Sequence, residues 1–331
     1  MNATVLRSTA LGMVAGGKGI LAADESSKTI QKRFDKIGLK STPDTNLAYR
    51  KILLTAPGIE NYISGVILFD ETIRQSIDGL TIPEYLSSKG ILPGIKVDKG
   101  VVDLQNFPGE KITEGLGGLR ERLKEYSQLG AKFAKWRAVI TIGQNIPTDN
   151  CIEANMEALA EYAFLCQEQD MVPIVEPEVL MDADNTLEIC GEVTKKTLKT
   201  LFAKLVEHKV ILEGTILKPN MVISGKKCPI QATNQEIAKA TAETFLEAVP
   251  SELPGIVFLS GGQTPDQATE NLAQINMIAG SPWQLSYSYG RALQDEALTV
   301  WAGKTENVEI AQKAFLGRAK KVSDARSQKP V

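Results

Sequence analysis

The chain has 331 residues, 43% of them hydrophobic, so it can bury a large core. Its net charge of −3 and pI of about 5.6 argue against a surface for nucleic acid or anionic membranes, since such surfaces need basic patches. The single histidine, His208, leaves few means to build a zinc site or a His-centred triad.

The cysteine spacing and the length of the apolar runs indicate in which cellular compartment the protein works. The four cysteines form no CxxC motif, which is typical of a reducing intracellular compartment. No apolar run approaches the ~18 residues of a membrane span. The first residues also lack the pattern of a secretory signal. We therefore expect a cytoplasmic protein with no membrane partner.

Eight short apolar runs recur along the chain, and a helical pattern follows each one. Their apolar residues run on without alternating, which is typical of parallel strands buried on both faces. The predicted strands are 19–24, 65–70, 94–98, 133–140, 172–178, 214–220, 255–261 and 284–290.

Segments with a helical hydrophobic period lie between these runs. The predicted helices are 46–54, 116–129, 152–169, 194–208, 234–248, 265–278 and 291–301, with a last amphipathic segment at 306–319. Thr264 is a candidate cap for the helix that begins at Pro265, with Gln267 as its N3 partner. The residues after about 322 are polar and offer little apolar area to bury, so we expect a mobile tail there.

Eight strand–helix units without a break in composition predict a single-domain (β/α)8 TIM barrel, of the α/β class, over residues 1–331. A doubly wound open sheet is the main alternative. That fold often carries a glycine-rich turn after its first strand, whereas the glycine-rich segment 16–19 comes before the first strand here. The segment therefore fails as a dinucleotide-binding fingerprint.

Polar and charged side chains cluster where the predicted strands end. The carboxyl ends of all strands in a barrel meet at one end, so these side chains should form one site. They include Asp24, Ser26, Lys96, Lys135, Arg137, Glu176, Glu178, Lys218, Ser260, Gly261, Ser288, Gly290 and Arg291. A few inward charges could be ion pairs of a structural core, but charges delivered by five strands to one end favour catalysis.

The charge types in this set point to amine chemistry. A free lysine has a pKa of about 10.4, and burial or a neighbouring cation lowers it. Lys135 beside Lys218 would therefore make one of the two a nucleophile that attacks a ketone or aldehyde and forms a Schiff base. The imine draws electrons, so the adjacent carbon–carbon bond can break. Glu176 would move protons during imine formation, and Asp24 would accept the hydroxyl proton of the cleaved carbon.

Eight ordered motifs lie between residues 21 and 294, within a resemblance that spans roughly residues 17–313. They are LAADES at 21–26, GVILF at 65–69, GIKVDKG at 94–100, FAKWR at 133–137, VPIVEPE at 172–178, LEGTILKPNMV at 212–222, FLSGGQ at 258–263 and SYGRALQ at 288–294. In this order they resemble class I, or Schiff-base, fructose-bisphosphate aldolase. The resemblance implies a lyase that reversibly cleaves fructose 1,6-bisphosphate into dihydroxyacetone phosphate and glyceraldehyde 3-phosphate in glycolysis and gluconeogenesis.

The resemblance also implies roles for the matching side chains. Lys218 matches the Schiff-base lysine, and Lys135 matches the lysine that assists imine formation. Glu176 matches the proton-shuttling glutamate, with Glu178 as a supporting acid. Asp24 matches the residue that handles the C4 hydroxyl. No metal or other cofactor is expected, and the family implies a homotetramer acting on phosphorylated sugars.

Two phosphate sites follow from the same resemblance. The C1-phosphate side matches Ser260, Gly261, Gly290 and Arg291, with Ser288 next to it. The C6-phosphate side matches Lys96, Ser26 and Thr29, while Arg33 lines the substrate cleft and Arg137 is a further substrate-binding candidate. A Schiff-base aldolase for a sugar monophosphate, or a transaldolase-like enzyme, would not need both Lys96 and Arg291. A purely interacting protein would need none of these charges, and an oxidoreductase would need a dinucleotide fingerprint.

The end of the chain departs from the animal members of the family, which end in a tyrosine that assists proton exchange. Here no tyrosine follows Tyr289. We therefore expect Glu176, or a water that it holds, to exchange the proton on the imine. Deleting the tail after about residue 322 should then change neither activity nor melting temperature by much.

Overall fold

The computed structural model describes residues 1–278 and 280–328, and its central feature is a closed barrel of eight parallel strands. The strands in chain order are β1 (Gly19–Ala23), β2 (Ile63–Leu68), β3 (Ser76–Ile77), β4 (Leu80–Thr81), β5 (Leu92–Lys96), β6 (Val101–Asp103), β7 (Lys111–Thr113), β8 (Phe133–Ile140), β9 (Val172–Val179), β10 (Ile216–Leu217), β11 (Gly255–Phe258) and β12 (Gln284–Tyr289).

Helices surround the barrel. They are α1 (Ala3–Met13), α2 (Ser27–Phe34), α3 (Pro43–Leu54), α4 (Asp70–Ile73), α5 (Ile82–Ser88), α6 (Leu119–Gln128), α7 (Asp149–Glu168), α8 (Leu187–Glu207), α9 (Asn234–Ala248), α10 (Pro265–Asn276), α11 (Arg291–Trp301) and α12 (Val308–Arg326). Within the described ranges, no helix is both long enough and apolar enough to cross a membrane.

Strand pairing closes the barrel in the order β1-β2-β5-β8-β9-β10-β11-β12 and back to β1. Ile20 of β1 pairs with Gly65 on one side and with Ser288 on the other, so the first strand has no free edge. The pairs β3-β4 and β6-β7 are antiparallel hairpins outside the barrel. This topology confirms the predicted single-domain (β/α)8 barrel, because a doubly wound sheet would leave two edges open.

The eight predicted strands and eight predicted helical segments all occur, with one strand much shorter than expected, whereas α2, α4 and α5 were not predicted. β8, α9 and α11 begin and end where the sequence predicts. Thr264 and Gln267 form the predicted capping box at the start of α10. β10 shrinks to Ile216–Leu217 because Pro219 has no N–H to extend the ladder.

The sequence analysis did not predict α1, which lies at the amino-terminal end of the barrel. Its side chains Leu6, Ala10 and Met13 are fully buried and belong to one apolar cluster with Ile20 and Phe133 of the strands. Their spacing of four and three residues is that of a helix face, so the pattern was present in the sequence. α1 therefore closes the bottom of the barrel with an apolar plug.

The end of the chain contradicts the expectation of little burial after residue 322. α12 continues to Arg326, which is 5% exposed and donates to the carbonyls of Val14, Ala15, Lys18 and Leu285. The polar composition suggested solvent exposure, but the donors of a guanidinium also suit a cluster of buried carbonyls. Residues 329–331 of the expected tail lie outside the described residues.

Candidate active site

The carboxyl ends of the barrel strands surround a polar cavity of about 270 Å³. It is lined by Ala22, Asp24, Glu25, Ser26, Thr29, Arg33, Lys96, Lys135, Arg137, Glu176, Glu178, Lys218, Leu259, Ser260, Gly261, Ser288, Gly290 and Arg291. The structure thus brings every candidate residue from the sequence to one cavity. Sixteen of these lining residues are polar, charged or glycine, so the cavity suits a polar, charged ligand.

The register of the strands determines which charged side chains lie at the same height along the barrel axis. Lys96 of β5 lies opposite Lys135 of β8. Two residues further along β8, Arg137 lies opposite Glu176 of β9. Side chains two residues apart on a strand point to the same face, so Lys135 and Arg137 both line the cavity.

A chain of ion pairs crosses the floor of the cavity. The Nζ atom of Lys218 lies 3.1 Å from Oε1 of Glu176, and Oε2 of Glu176 lies 3.4 Å from Nζ of Lys135. The Lys135 ammonium also lies 2.8 Å from Asp24 and 4.0 Å from Asp98. The two lysine side chains are only 4 to 5% exposed. Glu176 therefore bridges two buried amino groups.

The charge on Asp24 is fixed by its cationic neighbours. Burial by itself raises the pKa of this carboxyl group. The positive charges of Lys135, Lys218 and Lys96 outweigh burial and hold the pKa of Asp24 well below its ordinary value. Asp24 is therefore a carboxylate at neutral pH and can accept a proton from a substrate hydroxyl.

Lys135 has the opposite balance. Burial lowers its pKa, but the carboxylates of Asp24, Glu176 and Asp98 outweigh burial and hold the pKa of Lys135 well above its ordinary value. Among the described residues, Lys218 has an ion pair with Glu176 alone. The residue types alone left open which of the two lysines is the cation; within the described ranges, Lys135 contacts three carboxylates, whereas Lys218 contacts one.

One end of the cavity is built from backbone and short side chains. Ser288 Oγ is buried and has no hydrogen-bond partner among the described residues, while Arg291 begins α11. A Cβ atom at Gly261 would lie 2.9 Å from the carboxylate of Glu178, and one at Gly262, where φ is +78°, would lie 2.1 Å from Met181. Only glycine fits at these two positions. Without side chains there, an anion can approach the backbone N–H groups of the loop.

The other side of the cavity carries Lys96 and two hydroxyl groups. Lys96 Nζ lies 2.6 Å from Asp98 Oδ1 and is partly exposed. Ser26 Oγ and Thr29 Oγ1 lie 3.1 Å apart. At the rim, the Arg137 side chain is paired with Glu178 and is 39% exposed. These groups provide a second place for an anion, separate from the Arg291 end.

Two acids lie at the predicted strand ends but were given no role from the sequence. Asp98 contacts both Lys96 and Lys135, and Glu25 is paired with Arg33 and Arg50. A sequence signal for each existed, since Asp98 shares a strand face with Lys96 and Glu25 follows Asp24 directly. In residues 1–278 and 280–328, no group of three or more His, Cys, Asp or Glu side chains is arranged to hold a metal ion.

Comparisons with known proteins identify the family of this chain. A family model described as fructose-bisphosphate aldolase class-I matches residues 5–330. A Xanthomonas campestris protein named "Probable fructose-bisphosphate aldolase class 1" is 55% identical over 97% of this chain and 96% of its own length. The Arabidopsis thaliana protein "Fructose-bisphosphate aldolase 4, cytosolic" is 50% identical over 93% of this chain and 79% of its own length.

A solved structure shows the same fold. It is the fructose-bisphosphate aldolase of Plasmodium falciparum in complex with TRAP and a small molecule inhibitor. The TM-score is 0.97 at 46% sequence identity, and the match covers 100% of this chain and 97% of that chain. The family match, the relatives and the fold confirm the resemblance seen in the motifs: the chain belongs to the class I fructose-bisphosphate aldolases, a family of lyases.

Proposed function

We propose that this chain reversibly cleaves fructose 1,6-bisphosphate into dihydroxyacetone phosphate and glyceraldehyde 3-phosphate through a Schiff base on Lys218. The main support is the Glu176 carboxylate, which lies 3.1 Å from the Lys218 amine and 3.4 Å from the Lys135 ammonium. An amine beside a group that can carry its protons is what imine formation requires. Membership of the family supports the choice of substrate.

The substrate spans the cavity with one phosphate at each side. The C1 phosphate binds Arg291 and the Ser260–Gly261 loop, together with the free hydroxyl of Ser288 and the backbone of Gly290. The C6 phosphate binds Lys96 with the hydroxyl groups of Ser26 and Thr29. Arg33 and Arg137 line the cleft. The ketone carbon then lies between the two sites, at Lys218.

Imine formation uses Lys218, Glu176 and Lys135. Glu176 first takes a proton from the Lys218 ammonium, and the resulting neutral amine attacks the ketone carbon C2. One proton then moves from the nitrogen to the carbonyl oxygen to give a carbinolamine. Glu176 returns its proton to that hydroxyl, which leaves as water, and a protonated imine remains on Lys218. Lys135 stays an ammonium because three carboxylates surround it, so it stabilises negative charge that develops on the departing oxygen.

Bond cleavage uses the Asp24 carboxylate. Asp24 accepts the proton of the C4 hydroxyl, the C3–C4 bond breaks, and its electron pair moves into the imine to give an enamine. Glyceraldehyde 3-phosphate leaves as the aldehyde. Glu176, or a water that it holds, then supports protonation at C3, and water hydrolyses the imine to release dihydroxyacetone phosphate. Glu178 is 2.9 Å from the position that a Cβ at Gly261 would take, and acts as a supporting acid beside the phosphate loop.

The proposal extends to the setting of the reaction. We infer a homotetramer that works in the cytoplasm, in glycolysis and gluconeogenesis, without a metal or other cofactor. The cytosolic relative from Arabidopsis thaliana supports the compartment, and family membership supports the pathway.

Borohydride trapping tests the proposed function. Dihydroxyacetone phosphate plus borohydride should leave a reduced adduct on Lys218, found by peptide mass spectrometry, and should abolish cleavage of fructose 1,6-bisphosphate. The Lys218→Met variant should show neither adduct nor turnover, and EDTA alone should leave the wild-type rate unchanged. An adduct on a different lysine, or complete inactivation by EDTA, would contradict the proposal.

A further inference from the structure

An ion-pair network in one wall of the cavity includes two residues, Glu25 and Arg50, that the proposed mechanism does not use. The Glu25 carboxylate contacts two arginines, Arg33 through Oε1 and Arg50 through Oε2, the latter at 2.5 Å. The side chains of Glu25 and Arg50 are 4% and 3% exposed. Two positive charges and one negative charge leave this triad with a net positive charge, and the Glu25 carboxylate is divided between the two arginines.

Only one of the two arginines reaches the cavity. Arg33 lines it together with Glu25, whereas Arg50 comes from α3 and does not. Nη2 of Arg33 lies 3.5 Å from the position of a Cβ built on Gly290, so this guanidinium lies against the start of α11, next to Arg291. The unbalanced positive charge of the triad therefore faces the cavity through Arg33.

Gln294 fixes the other side of the Arg33 guanidinium. Its Oε1 accepts hydrogen bonds from Arg33 at 3.2 Å and from the Tyr49 hydroxyl at 3.1 Å, and its Nε2 donates to the carbonyl of Ala22 at 2.6 Å. Gln294 is fully buried and lies on the same helix as Arg291. Arg33 is thus held between Glu25 and Gln294, and its orientation does not depend on a ligand.

We propose that Arg50 is a positioning residue for substrate phosphate. By holding one oxygen of Glu25, Arg50 prevents that carboxylate from pairing through both oxygens with Arg33. Bidentate arginine–carboxylate pairs are among the strongest ion pairs in proteins, and such a pair would neutralise Arg33. Arg33 therefore keeps donors and positive charge for a phosphate dianion. The choice of a sugar phosphate as ligand rests on the proposed function; the effect of Arg50 on Arg33 does not.

The Arg50→Met variant of the full-length protein tests this. Glu25 should then turn to Arg33, so the KM for fructose 1,6-bisphosphate should rise about tenfold while kcat changes less than about twofold. The dissociation constant for inorganic phosphate, measured by calorimetry without turnover, should rise by a similar factor. Arg50→Lys keeps a cation on Glu25 and should restore most of the affinity.

A double-mutant cycle separates positioning from general damage. In an Arg33→Met background, Arg50→Met should raise the KM no further, because its effect passes through Arg33. Arg326→Met removes an arginine that is similarly buried but lies at the amino-terminal end of the barrel. It should lower the melting temperature without changing the KM. An equal rise in KM with and without Arg33, or an unchanged KM in a folded Arg50→Met protein, would overturn the proposal.

A second variant keeps the proposal testable if Arg50→Met does not fold. Glu25→Gln removes the competing carboxylate, so phosphate should bind more tightly to the protein, the opposite sign to Arg50→Met. Weaker phosphate binding in Glu25→Gln would contradict the competition between Glu25 and ligand. Because the phosphate titration needs no turnover, an inactive wild-type protein would count against the proposed function and leave this inference to be judged by binding alone.

Discussion

The same strands form both ends of the barrel, but the amino-terminal end carries apolar side chains and the carboxyl end carries polar and charged ones. β8 contributes Phe133 to the apolar plug at the amino-terminal end and, two residues later, Lys135 to the cavity. β9 does the same with Ile174 and Glu176. On each of these strands, a residue that stabilises the barrel therefore lies two positions before a residue that lines the cavity. Substitutions at the two ends should have separable effects on activity and stability.

Among substitutions that test this difference between the two ends, Lys135→Met at the carboxyl end should have the largest effect. Loss of this ammonium leaves Asp24 and Glu176 without their shared cation, so imine formation should slow at least about a hundredfold. The protein should still fold, because the apolar plug is untouched, although the loss of a buried cation lowers its melting temperature. Rapid-mixing measurements of imine formation and a thermal melt test both halves.

Lys132→Met is the matched control for this substitution. Lys132 is exposed and precedes β8 directly, so its loss should alter neither rate nor melting temperature. A normal rate of imine formation in Lys135→Met would give Lys135 a structural role only.

The amino-terminal end should respond in the opposite way. Deleting residues 323–331 removes Arg326 and its bonds to Val14, Ala15, Lys18 and Leu285, which should cost about 3 kcal/mol of unfolding free energy or more. The KM and kcat of the protein that remains folded should stay within about twofold of wild type, since no cavity residue is lost. Urea unfolding and steady-state kinetics measure both quantities.

This expectation replaces the one drawn from the sequence, which predicted no change in melting temperature. Arg326→Met alone should reproduce most of the loss, and deletion of 329–331 controls for the shorter chain. An unchanged melting temperature after deletion of 323–331 would mean that these buried contacts do not stabilise the fold.

A smaller effect should distinguish the two sides of the cavity. Arg291→Ala should weaken binding of dihydroxyacetone phosphate about tenfold, or ~1.4 kcal/mol, because a charged phosphate contact is lost. Lys96→Ala should spare that triose and raise the KM for the bisphosphate by a similar factor. Titration with each ligand measures this, and equal losses for both ligands in both variants would argue against two phosphate sites.

The smallest effect concerns the pH dependence of stability. The pKa of Asp24 in the folded protein lies below its unfolded value of about 3.9, so its contribution to stability is present above that pH and is lost as the pH falls. The pKa of Lys135 is raised, so its contribution is complete below about pH 10 and constant in this window.

Between pH 5 and pH 3, wild type should therefore lose about 1 kcal/mol more unfolding free energy than Asp24→Asn. Urea unfolding at a series of pH values gives this difference. Parallel curves for the two proteins over that range would show that Asp24 is not held by its cationic neighbours.

The barrel and the set of residues that line the cavity could be predicted from the sequence, because both follow from local patterns. One apolar run sets the bounds of β8, and α9 begins after the capping residue Thr233, so each signal lies within a few residues of the boundary that it sets. The charged residues of the cavity follow from their positions at strand ends. Such patterns are local and need no knowledge of the partner.

The features that sequence reasoning missed depend on partners far along the chain. Glu25 meets Arg50 across α2 and α3, and Arg326 meets Val14 across 312 residues. The polarity of Arg326 suggested a solvent-exposed side chain, because the sequence does not show which carbonyl groups accept its hydrogen bonds. The same holds for the ion pairs of the two lysines, since the three carboxylates around Lys135 and the one beside Lys218 are brought together only by the fold.

Barrel closure also sets the order in which a growing chain can fold. β1 needs β12, with Leu21 paired to Tyr289, so one edge of the first strand stays open until almost the whole chain has been synthesised. Open apolar strand edges pair readily with other chains, and contacts between distant residues form slowly. We therefore expect nascent chains that end before residue 284 to be protease-sensitive and prone to aggregation, because the barrel cannot close without β12.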